Sequence, residues 1–160
     1  MIITRALRWY KRDEIERDSR KMYIFTDNTN RTSGNNPLPA SSWYSQTFGP
    51  GLCFPTMTSA LIRGLPNAFP LTTQHWYSPE HRGDTGRWTD ADFEEFKRVI
   101  DEDFERIEKE MGKYEVIVFP PGGIFNSKIA NITEARTPRL YEYLMTKCKN
   151  LMEKAERQSE

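Results

Sequence analysis

The feature that most constrains this chain is a helix–strand–helix succession in its C-terminal half. Phe93, Phe96, Ile100, Phe104, Ile107 and Met111 recur at three- and four-residue steps, which lays one apolar stripe along a helix from about Asp90 to Met111. Thr89 stands where an N-cap belongs, Asp90 and Asp92 suit the positive end of the helix dipole, and Gly112 stands where the helix should stop. The opposite face is strongly acidic and reads as solvated surface. Tyr114 to Phe119 then form a short β-branched and aromatic run, the pattern of a buried strand. Thr137 and Pro138 open a second helix, with a stripe of Leu140, Tyr141, Leu144, Met145, Cys148, Leu151 and Met152. The tail over 153–160 is expected to fray.

Upstream, the continuous apolar run MYIFT (22–26) reads as a buried strand. TMTSALIRG (56–64) reads as a short helix ending at glycine, and AFPLTT (68–73) as a strand that Pro70 assigns to an edge or a strand start. The first twenty residues are assigned a helix from about Arg5 to Asp18. Alternating strands and helices favour an α/β sandwich with a largely parallel sheet. A chain of 160 residues suits one domain, 1–160, with 1–21 as an N-terminal extension.

Between Asp27 and Trp88 only seven residues are charged, and seven of the ten prolines lie there, so turns should dominate that span. Its aromatics Trp43, Tyr44, Trp76, Tyr77 and Trp88 argue for order, either as cover for the sheet edge or as a lid that stacks on a ligand. Lysine plus arginine equals aspartate plus glutamate, 23 each, so no basic excess points to nucleic acid. No apolar run reaches bilayer length and no signal-peptide core is present, which favours a soluble, cytoplasmic protein. Cys53 and Cys148 match no metal spacing, and His75 and His81 form no recognised ligand pattern, so neither a metal nor a cofactor is expected. A nucleophilic pairing of Cys53 with His75 has only residue identity behind it.

In a parallel sheet, ligands bind beyond the carboxyl ends of strands. Three segments would occupy that edge. After MYIFT come Asp27, Asn28, Arg31, Ser33 and Gly34, which form either a series of turns or a site. In the latter, Asp27 is the catalytic candidate, and Arg31 meets a phosphate or carboxylate. After AFPLTT comes Gln74. After the strand ending at Phe119 comes PPGGIFNSK (120–128). There Gly122 and Gly123 would let backbone N–H groups approach an anion, and Ile124, Phe125, Asn126, Ser127 and Lys128 complete the candidate ligand-binding set. A plain strand-to-helix turn has the same composition.

The order of motifs resembles macro domains and macro-like families. Phe25–Asn28, Pro55-Thr56 with Asn67-Ala68, Thr89–Asp92 and Pro120–Ile124 are similar to features of small uncharacterised macro-like proteins of bacteriophages and bacteria. The resemblance covers roughly residues 22–152. It implies a three-layer αβα fold and a pocket for ADP-ribose or a related nucleotide, in a protein of phage or bacterial origin. The expected function is binding of a nucleotide-derived, phosphate-bearing metabolite. The alternatives are hydrolysis of an ADP-ribosyl or N-glycosidic bond, with Asp27 as the carboxylate, and an interaction protein acting through its acidic helix. Whether it is an enzyme, and whether it forms a homo-oligomer, stay open.

Overall fold

The computed structural model describes residues 1–29, 31, 34–74, 87–121 and 132–158, and the strand backbone of 128–129. In chain order the elements are β1 (Ile2–Arg5), α1 (Arg12–Arg17), β2 (Lys21–Asn28), β3 (Asn36–Pro37), α2 (Trp43–Phe48), β4 (Cys53–Phe54), a 3-10 turn (Ser59–Ile62), β5 (Ala68–Gln74), α3 (Phe93–Glu110), β6 (Val116–Phe119), β7 (Lys128–Ile129), β8 (Ile132–Thr133) and α4 (Pro138–Gln158). Four of these strands make one sheet, in the order β1-β6-β2-β5, and every pairing in it is parallel. The pairs β3–β4 and β7–β8 are small antiparallel hairpins.

Helices cover both faces, giving a three-layer α/β sandwich. On one face, Met22, Ile24, Phe69, Leu71, Ile117 and Phe119 pack against the stripes of α3 and α4. On the other, Phe25, Ala68 and Val118 meet Ile15 of α1, Tyr44 of α2, and Ala60 and Ile62 of the 3-10 turn. The period-two alternation along each strand sorts its side chains between these two cores. Asn67 ties the second layer together: its buried amide donates to the carbonyls of Ile15, Asp18 and Lys21 at 2.9–3.2 Å.

β5 is an edge strand, as Pro70 demands. Thr72 donates its outward N–H to Asp103 Oδ2 of α3 at 2.7 Å. Pro70, two residues earlier, shares that outward register and has no N–H to leave unpaired.

Several expectations are corrected. The helix assigned to Arg5–Asp18 is instead a strand, Ile2–Arg5, followed by the short α1. β1 exists because β6 offers it a parallel partner, so these first residues belong to the sheet. The segment at 56–64 forms only a 3-10 turn. Gly112 does not adopt positive φ; the chain continues through a 3-10 turn at Met111–Lys113 before β6. The tail is helical to Gln158, because Ala155 is buried in the first core. Asp90, assigned to the dipole of its own helix, also accepts the N–H groups of Arg139 and Leu140 at 3.2 Å, and so caps α4. Thr89 donates both its N–H and its hydroxyl to Asp92 at the start of α3.

Candidate functional site

All four sheet strands end at one edge, and two features distinguish it. The first is a notch beside β2. Among the described residues β6 pairs with β2 through Tyr23↔Val118, and from Ile24 to Asn28 the only neighbouring strand is β5. Two side chains bond this flank of β2: Tyr10 donates its hydroxyl to Ile24 O at 2.6 Å, and Ser59 Oγ accepts the Thr26 N–H at 3.2 Å. β2 leads to α2 on one face of the sheet, whereas β6 leads to α4 on the other.

The second feature is a buried charge cluster on the β5 side. The Asp27 side chain has no solvent exposure, nor has that of Arg63. Arg63 grips Asp27 with both ends of its fork: Nε donates to Oδ2 at 3.2 Å and Nη2 to Oδ1. Tyr44 donates its hydroxyl to Oδ2, and the Asn28 N–H reaches Oδ1 at 2.9 Å. Burial, with Asp27 beside it, raises the Tyr44 phenol well above its usual range, so Tyr44 stays a donor. Arg63 also donates to the Cys53 carbonyl, which fastens β4 to the cluster.

Arg31 adds a second guanidinium. Its φ is +59°, the one positive value at a non-glycine among the described residues. Asn28 Oδ1 accepts its N–H at 2.6 Å, which is the local bond that holds so costly a conformation. The guanidinium reaches Tyr44 OH at 3.2 Å, Asp27 Oδ2 at 3.4 Å and Thr72 Oγ1 at 3.4 Å. It lies 3.8 Å from the centroid of the Phe48 ring.

The structure therefore brings Asp27, Asn28 and Arg31 together but turns Arg31 away from β6, towards the outer edge of β5. Gln74 sits opposite Asn28 at the end of β5 and bridges to Arg87. Gly34 has φ +105°, and a Cβ there would collide with the backbone of Phe54 and Pro55, so hairpin packing alone requires glycine. The backbone of Lys128 lies in β7, opposite Thr133. Ser33, Gly122, Gly123, Ile124, Phe125, Asn126 and Ser127 lie outside the described residues, as do His75, His81, Trp76 and Tyr77. Of the rings expected to form a lid, those described serve the core. Trp88 and Tyr44 are fully buried, and Trp43 packs on Phe69 while donating its N–H to Leu65 O. Among the described residues no group of His, Cys, Asp or Glu is placed to hold a metal, and burial pushes the Cys148 thiol up to about 12.

Sequence reasoning missed Arg63, Asp103, Phe48 and Arg106, whose Nη1 donates to Asp103 Oδ1 at 3.4 Å. Two signals were present. Arg63 is a lone charge in the apolar run SALIRGL, and Asp103 stands in register with Phe96, Ile100 and Ile107 on the apolar stripe of α3.

Fold and site define an all-parallel, four-stranded α/β sandwich with an arginine–carboxylate cluster sealed beneath its carboxyl edge. The chain belongs to a family of unknown function, DUF7831, whose model matches residues 5–147. No curated protein and no solved structure matches it. The macro-domain resemblance is thereby corrected: the family found is a different one. The features that suggested it, an Asp-Asn after a strand and a Pro-Gly loop, suit strand ends of many parallel sheets. Among the described residues, no helix is long and apolar enough to cross a membrane.

Proposed function

We propose that this protein binds a small phosphate-bearing metabolite of nucleotide class in the notch between β2 and β6. The observation that carries this reading is the divergence of the two strands. Among the described residues β2 outruns β6, and the helices that follow them, α2 and α4, pack on opposite faces of the sheet. Open parallel sheets bind ligands at such switch points. The segment leaving β6 carries Gly122 and Gly123, whose backbone N–H groups would serve an anion without a large basic cluster. In this reading Asp27 does not touch the ligand. Its full burial suits a group that anchors Arg63 and Arg31, and that favours binding over a hydrolase that would need Asp27 at the scissile bond. ADP-ribose as the particular ligand and a phage origin had only the macro-domain resemblance behind them.

Mass spectrometry of small molecules released by denaturing the purified protein should detect a phosphate-bearing species. Gly123→Val, shown to be folded by circular dichroism, should lose binding of that species. Lys128→Ala should cost about 1–2 kcal/mol or less. A protein that releases nothing and binds no member of a nucleotide panel would overturn the reading.

A further inference from the structure

On the other flank of β2, we infer that Arg31 and Arg106 form a second anion site, which takes a phosphate group at the outer edge of β5 between α2 and α3. Two guanidiniums meet there around one carboxylate oxygen. Asp103 Oδ2 is taken by the Thr72 N–H at 2.7 Å, which leaves Oδ1 to Arg106 Nη1 at 3.4 Å and Arg31 Nη2 at 4.0 Å. Asp27 offers Arg31 little more, because the fork of Arg63 already holds both of its oxygens.

The contacts of Arg31 and Arg106 are correspondingly long. Every polar partner of either guanidinium described above lies at 3.2 Å or beyond. Charge-assisted N–H···O bonds settle at about 2.7–2.9 Å when the geometry allows. Donor capacity therefore exceeds what the two carboxylates absorb. Phe48 organises the pair: the Arg31 and Arg106 guanidinium carbons lie 3.8 and 4.8 Å from its ring centroid. A guanidinium stacked on a ring sends its N–H groups outward in its own plane, where an oxyanion can be gripped by two of them. Access is from the Arg106 side, whose side chain retains 23% of its exposure; Arg31 is buried, its side chain retaining 11%, and Asp27 and Arg63 retain none. A phosphate here would supply the negative charge that Asp103 has to divide between two cations.

The probe is inorganic phosphate, followed by ³¹P line broadening with wild type and single variants. Wild type should show saturable broadening. Arg106→Gln should weaken it at least fivefold, and Arg98→Gln, an exposed arginine on the same helix, should leave it unchanged. Gly123→Val should also leave this site unchanged, which separates it from the notch. Arg106→Lys keeps the charge beside Asp103 and loses the fork; it should weaken binding too, and it carries the test if Arg106→Gln does not fold. The inference is overturned if wild type shows no saturable binding, if the Arg106 variants titrate like wild type, or if Arg98→Gln weakens binding as much as they do. Loss of all phosphate binding in Gly123→Val with retention in Arg106→Gln would overturn this site and leave the notch standing.

Discussion

At Asp27 two arginines, a tyrosine and the Asn28 N–H converge on one carboxylate buried from water. A buried ion pair stabilises little by itself, because desolvation offsets the attraction, but removing one partner strands the other. Arg63→Met should therefore cost roughly 3–5 kcal/mol. The double variant Asp27→Asn/Arg63→Met should lose less than Arg63→Met alone, as it leaves no sealed carboxylate dependent on the longer contact with Arg31 for its charge partner. Urea unfolding midpoints decide this, and a double variant less stable than Arg63→Met would show that the two residues do not act as a unit. Two glycines offer a simpler contrast. Gly34→Ala places a methyl into the Phe54–Pro55 backbone at φ +105°, so it should destabilise by more than about 1 kcal/mol. Gly112 has neither positive φ nor a neighbour in the way, and Gly112→Ala should be neutral or raise the melting temperature slightly.

β5 shows how an exposed edge is closed without another strand. Pro70 lacks a donor in the outward register, and Asp103 takes the N–H of Thr72. That arrangement has a pH signature. Burial lifts the Asp103 carboxyl from 3.8 to about 6, against the pull of Arg31, the Thr72 N–H and Arg106. With the folded pKa above the unfolded one, the folded chain holds the proton more tightly. The contribution of Asp103 is therefore fully present below about pH 4 and is lost as the pH rises to about 6. At 1.36 kcal/mol per unit the change is about 3 kcal/mol. Asp103→Asn can still accept the Thr72 N–H but cannot titrate. The stability of wild type relative to this variant should fall between about pH 4 and 6 and level off above that range. A difference that stays constant from pH 4 to 7 in denaturant titrations would mean that Asp103 is ionised throughout.

At the level of the whole molecule, the sheet order places β6 and β2 inside and β1 and β5 outside. The two edges are not equivalent. β5 is covered by α3 and its Asp103 cap, whereas Ile2 of β1 and the adjoining Leu7 and Trp9 are exposed. Hydrogen exchange should follow that asymmetry. Amides of Ile24, Phe25 and Ile117 should exchange only through global unfolding, and those of Ile2 and Ala6, which bond the carbonyls of Glu115 and Phe119, through cheaper local opening of β1. Equal protection in β1 and β2 would show that the first strand is bound into the sheet as firmly as the centre.

Elements whose signals are local were legible in the sequence. α3 and α4 announced themselves by apolar stripes, β2 and β6 by continuous apolar runs, and the edge position of β5 by Pro70, because each pattern reports burial of its own segment. The candidate site was legible only as a composition of loops. β1 escaped notice because the short IITR becomes a strand through its pairing with β6, more than a hundred residues away. Asp27 likewise carries no mark of its partners: Arg63 lies 36 residues on, and Asp103 meets Thr72 across 31. The sequence by itself determined the layers and the parallel class of this protein. Only the tertiary structure decided that its loop carboxylate is a sealed anchor, since burial and charge pairing belong to segments brought together by packing and to neither segment alone.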